Sequence, residues 1–230
     1  MSVAGVQGLA FAVVAGYESL VIEMYDALMK KIEVMILADS APAIVAAAIN
    51  AEMNKIEDFC DKNLTTLMPL VYNTAFHWTV IEEKLKAGIV IQNHVYSPQW
   101  CQDGKTFHDR VLANGTQTLM SLNGLLFSEQ EDKVVLLGLI TDELTKAKNS
   151  WLRLLRTETE AAYSEGVKDA LIALGYLYAV IDNPDPCDSI CVNEVGERMV
   201  TLAEARVGLD LPPFHPNCKC VFRGIWWNGS

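Results

Sequence analysis

The chain has 230 residues, 51% of them hydrophobic and 20% charged, with 29 acidic against 18 basic side chains and a formal net charge of −11. This length allows one generous domain or two small ones, and the composition excludes wholesale disorder. The acidic balance excludes nucleic-acid binding by overall charge, so any DNA contact would need a local basic patch. The tight basic groupings, Lys30 with Lys31 and Arg153 with Arg156, are each diluted by nearby acids and read as solvated helix faces.

The opening stretch, MSVAGVQGLAFAVVAG, is nearly free of charge. It lacks the positively charged start of a signal peptide, and Glu18 and Glu23 interrupt it before the roughly 20 apolar residues that a membrane span needs. It reads as a helix that packs against its neighbours or docks a subunit. From about Leu9 to Leu37 the apolar residues recur at helical spacing, with Leu20, Met24, Ala27, Leu28, Lys31 and Met35 on one line and Val21 and Ile32 flanking it. Asp39-Ser40-Ala41-Pro42 supplies a turn, with Asp39 or Ser40 as an N-cap and Pro42 in the first turn of a second helix that runs to about Leu67. Pro69 bends or ends that helix, and a third takes in Tyr72 to Lys86. After Gly88, IVIQNHVYSPQW alternates enough for a short extended segment.

Beyond Trp100 the patterning is helical, interrupted at Gly104, Gly115 and Gly124, with a turn at Asp103-Gly104 and Thr106 as the cap of the helix carrying Val111 and Leu112. From Tyr176 onward, β-branched and aromatic runs (YLYAVID, MVTL, CKCVFRGIWW) separated by Pro, Asp and Gly predict a small irregular β-containing unit. No period of 20 to 50 residues recurs, which excludes a solenoid.

The strongest chemical signal lies in that last unit. Four of the six cysteines fall within the final 44 residues, beside His215. Cys187-x3-Cys191 is followed after 23 residues by His215-Pro-Asn-Cys218-Lys-Cys220. Two short-range pairs separated by a loop are how a chain supplies the four soft or borderline ligands of a tetrahedral zinc site, and a closed site of that kind is structural. Five candidates for four places leave one spare, and Cys220 is the least secure. Disulfides, or reduced cysteines packed in a small core, are the alternatives. His215 is the only histidine after residue 108, and His77, His94 and His108 are scattered. Glu82 with Glu83, Glu129 with Glu131 and Glu158 with Glu160 read as wet helix faces. Arg156 and Glu158 form a candidate structural clamp, the arginine pairing with Asp182 or Asp185, or else with Glu160 one turn on. Trp226 and Trp227 either close the small core or anchor a partner. No phosphate-cradling glycine loop, GxSxG elbow or HExxH is present.

The order DGKTFHDRV (Asp103 to Val111), RTE (Arg156 to Glu158), Cys187 with Cys191, then LPPFHPNCKC (Leu211 to Cys220) resembles the Mu F-like head morphogenesis, or minor capsid, family of tailed bacteriophages. The likeness covers roughly residues 96 to 223, and its PPxHPxCxC end is the most specific element. Two departures stand out: three residues separate the first two cysteines where the family commonly has two, and VNEVG follows them in place of a Leu-Asp-Gly.

Residues 1–95, which carry none of this likeness, read as a helical region that could serve as a docking arm. The resemblance implies a minor head protein domain over 96–230, helical to 175 and a small α+β unit over 176–230. The fold class expected is α+β, its mainly helical first two thirds followed by an irregular β-containing unit stapled by the Cys/His cluster. The implied role is that of a minor virion protein made in the bacterial cytoplasm. It would sit in several copies with the portal or major capsid protein inside the head and act in assembly, packaging or DNA delivery, without catalysis. The competing reading is a metal-dependent nuclease or transferase-like effector acting on DNA or host protein. A zinc-knuckle nucleic-acid binder ranks below both, because the last 50 residues carry four basic and seven acidic side chains.

Overall fold

The computed structural model describes residues 3–87, 105, 107–128, 130–182, 189–194, 199–215 and 218–226. The fold is α+β as expected: mostly helical, with a small three-stranded antiparallel sheet near the C-terminus. The elements are α1 (Val3–Leu37), α2 (Pro42–Ala87), α3 (Phe107–Leu126), α4 (Lys133–Ala173), β1 (Tyr178–Asp182), α5 (Ser189–Glu194), β2 (Met199–Thr201) and β3 (Val221–Ile225). The segment IVIQNHVYSPQW, the Asp103-Gly104 turn and the Thr106 cap lie outside the described residues. No described helix is long and apolar enough to cross a membrane.

By contact the chain forms two compact units, Ala15–Leu64 with Phe107–Arg153, and Met1–Val14 with Thr65–Thr106 and Leu154–Ser230. This grouping interleaves the sequence, whereas the reading above divided it consecutively, at residue 95 and again at 175.

The first unit is a ring of four antiparallel helical segments. Lys31 is paired with Glu52 at 2.8 Å, joining α1 to α2, and Lys148 with Asp26 at 2.9 Å, joining α4 to α1. Ser150 donates to Asn114 at 3.0 Å, joining α4 to α3, while Gly115 of α3 faces the Glu57 side chain of α2. The buried stripe of α1 is Val21, Tyr25, Leu28, Ile32 and Ile36, at three- and four-residue steps. This corrects the phase read from the sequence: Leu20, Ala27 and Lys31 are exposed, and Lys31 uses its position at the edge to reach Glu52. The turn after α1 is a Schellman cap, with Ser40 N–H donating to Met35 O at 3.0 Å and Asp39 N–H to Ile36 O at 3.1 Å. Asp39 sits at φ 57°, where glycine is usual, and is ion-paired with Lys133. It therefore ends α1 rather than capping α2, which opens with Pro42 at its first position.

Pro69 does not end its helix, and the interruptions expected at Gly115 and Gly124 do not occur. Helix α2 continues through Pro69 to Ala87, and α3 runs through Gly115 and Gly124. An internal proline costs about 3 kcal/mol, but Leu67, Met68, Val71 and Tyr72 around it are each at most 3% exposed. At about 1.5–3 kcal/mol for each large apolar side chain, their burial outweighs the lost hydrogen bond. Gly115 also has a packing reason, since a Cβ there would overlap the Glu57 carboxylate.

The second unit contains the later parts of α2 and α4, α5 and the sheet. Gly166 lets the two long helices approach closely: a Cβ on it would lie 2.3 Å from the backbone oxygen of Tyr72 and 3.0 Å from Cβ of Ala75. The Tyr72 hydroxyl ties the same crossing by donating to Asp169 at 2.7 Å. Helix α4 ends in a second Schellman cap, with Tyr176 N–H donating to Leu171 O at 3.0 Å and Gly175 at φ 86° turning the chain into β1. The strand order is β2-β1-β3, with Tyr178 opposite both Thr201 and Ile225. The buried side chains Ala179, Ile181 and Val200 share one apolar cluster with Phe76 and Val80 of α2 and Val167 and Leu171 of α4.

Candidate metal centre

The sheet and its connections carry the cysteines. Cys191 lies in α5 and is fully buried, while its neighbour Val192 is exposed. After β2 the chain turns through Leu202–Ala205 and folds the Val207–Leu211 loop, where Gly208 at φ 87° donates to Leu211 O at 2.8 Å. Arg206 closes this loop, its backbone N–H and Nε both donating to Asp210 Oδ2, at 3.1 and 3.2 Å. Leu211, Pro212 and Pro213 are buried and deliver His215 to the cluster. Cys218 N–H then donates to His215 O at 3.2 Å, and the chain enters β3 past Cys220. Cys218 and Cys220 are buried on either side of exposed Lys219, the alternation expected of an extended run.

Four side chains converge. Cys191 Sγ lies 2.9 Å from His215 Nε2, 4.0 Å from Cys218 Sγ and 3.4 Å from Cys220 Sγ. A disulfide needs about 2.05 Å between sulfurs, so these cysteines are not bridged to one another. A tetrahedral centre with about 2.3 Å bonds to sulfur requires sulfurs about 3.8 Å apart, and the observed spacings bracket that value. The ligand atoms of Cys191, His215 and Cys218 all lie within 4.8 Å of one another and could hold a metal ion. Cys220 falls outside this mutual set although its sulfur approaches Cys191. Cys187 lies outside the described residues.

The remaining candidates divide. Glu158 is 1% exposed and Glu160 half-buried, which corrects their reading as a wet carboxylate pair. The physical reason is the stripe of α4: Ile140, Leu144, Ala147, Trp151, Leu155, Glu158 and Ala162 recur at four- and three-residue steps, and all are buried. Arg156 is exposed, and its charge acts on Glu160 one turn on. Glu82 and Glu83 are likewise half-buried, and Glu83 accepts a hydrogen bond from the Tyr176 hydroxyl. Trp226 is 59% exposed, with its ring 4.3 Å from that of Tyr176, while Trp227 lies outside the described residues. His77 is exposed and takes no part in the cluster.

The sequence reading missed the burial of Glu160 and Tyr163 beside the cysteine unit. Burial pushes the Glu160 carboxyl up to about 8, against the opposing charge of Arg156. It pushes the Tyr163 hydroxyl up to about 12, reinforced by the charge of Glu82. The signal was the same α4 stripe, which puts positions 158 to 163 among buried neighbours. No protein-family model, no curated protein and no solved structure matches this chain.

Proposed function

We propose that this protein is a minor head protein of a tailed bacteriophage, a structural component associated with the portal or the capsid interior, whose C-terminal unit is held together by zinc. The observation that carries the reading is the convergence of Cys191 with His215, Cys218 and Cys220, because the last three belong to the LPPFHPNCKC block on which the family resemblance chiefly rests. Thiolate and imidazole donors gathered at a largely buried position suit zinc. With Cys220 as the fourth ligand the centre would be closed and structural, and the reading assigns the cluster to folding and the function to surfaces. The net charge of −11 favours protein partners over DNA.

The test is quantitative mass spectrometry of purified particles of a phage encoding this chain. The expected result is the polypeptide at a few to a few dozen copies per particle, in fixed ratio to the portal protein. Its absence from particles would overturn the assignment as a virion component.

A further inference from the structure

A cavity of about 100 Å³ lies in the cysteine-bearing unit, bounded by the later parts of α2 and α4 and by β3. That is several times the roughly 10–15 Å³ that a single water needs, so it has room for a group of side-chain size. Its walls combine the carboxyl groups of Glu82, Glu83 and Glu160 with the apolar side chains of Val167, Leu171 and Phe222, and they also include hydroxyl side chains and Cys218 and Cys220 of the candidate metal centre. Glu83 already accepts the Tyr176 hydroxyl. Glu160 is different, because its Oε2 is buried and has no hydrogen-bond partner among the described residues. Arg223 is the one cationic residue among those lining the cavity, and it is largely exposed.

A buried carboxyl oxygen without a partner is costly, the more so once ionised, and a ligand that brings both a donor and a positive charge removes that cost. A hard divalent ion wants a shell of about six to eight oxygen ligands and would leave the apolar walls unused. A cation on an aliphatic stem uses both kinds of wall, and the about five to seven non-hydrogen atoms of a lysine or arginine side chain match the space.

We propose that this cavity binds the ammonium or guanidinium head of a long-stemmed cation, with Glu160 as the principal acceptor, Glu82 as a second negative charge, and Val167, Leu171 and Phe222 against the stem. The inference stands independently of the virion assignment. The cation is either a free alkylamine or a side chain presented by a partner protein, and the chemistry is the same for both.

Calorimetric titration of the full chain tests this, with n-butylammonium chloride as probe and n-butanol as the neutral control. The expected result is saturable binding of butylammonium, none of butanol, and a loss of affinity of about tenfold or more in Glu160→Gln, the range of a hydrogen bond to a charged group. Equal binding of the two probes, or unchanged affinity in Glu160→Gln, would overturn the proposal. Should that variant lose its native circular dichroism, Glu82→Gln at a half-exposed position carries the comparison, and unchanged affinity there counts equally against it. Binding of Nα-acetyl-lysine N-methylamide alongside butylammonium would support a partner's side chain as the source. Binding of butylammonium alone would support a free amine.

Discussion

Glu160→Gln should stabilise the folded protein in alkaline solution and leave it unchanged in acid. The Glu160 carboxyl titrates near 8 in the folded chain against an ordinary value of 4.5, chiefly because it is buried. Between those pH values the folded state holds a proton that the unfolded state has released, so stability falls as pH rises through this window. At about 1.4 kcal/mol per pH unit the loss has a ceiling of about 5 kcal/mol. Residual solvent contact brings the realistic figure to about 2–3 kcal/mol. Glutamine copies the shape of the neutral acid and cannot ionise, so the variant escapes this loss. For a chain of this size the difference corresponds to melting roughly 5–10 °C higher than wild type at pH 8, with the two proteins coinciding near pH 4. Thermal melts of both proteins at pH 4, 6 and 8 and constant ionic strength measure it, and comparing the pair cancels titration elsewhere, including at the cysteines. A constant offset across the range, or a variant less stable at pH 8, would refute the reasoning.

Removing metal with excess chelator should lower the melting temperature by roughly 10 °C or more, with Cys191→Ala melting low from the start and gaining no further sensitivity to chelator. Unchanged melting, together with no metal by elemental analysis, would exclude the zinc centre. Gly166→Ala should cost about 2–3 kcal/mol by urea titration, because its Cβ would meet the Tyr72 backbone at 2.3 Å. Gly124→Ala, with nothing within 4 Å, should instead gain about 0.5–1 kcal/mol by the same measurement. Asp39→Gly relieves a left-handed residue at φ 57° and forfeits the pair with Lys133, for a net gain of up to about 1 kcal/mol in the same titration.

The helices were legible because their buried stripes keep a regular step, and the strands because YLYAVID, MVTL and CKCVFRG combine β-branched residues with turn signals. What misled was punctuation. Pro69, Gly115 and Gly124 are local signals, and packing on both sides of each overrode them. The phase of α1 was misread because Leu20 and Val21 are equally apolar, and only the partner helix decides which of them turns inward. In the candidate site, the clustering of Cys191, His215 and Cys218 was readable from spacing alone, since a buried Pro-Pro run and a tight turn give those residues little freedom. The cavity beside it was not readable. Its walls come from α2, α4 and β3, which are far apart in sequence, and no local pattern reports that Oε2 of Glu160 has no hydrogen-bond partner among the described residues.

The interleaving of the two compact units bears on how the chain is made. Everything in Ala15–Leu64 with Phe107–Arg153 has left the ribosome once residue 153 emerges, so the four-segment ring can close while the last third is still being translated. The other unit cannot, because the later part of α2 must wait for the later part of α4, the sheet and the cysteines. Its apolar surface, Phe76 and Val80 included, stays uncovered over that interval and is exposed to aggregation. Expression of residues 96–230 alone would prolong this vulnerable stage indefinitely, since such a fragment carries the cysteines without the helix they fold against.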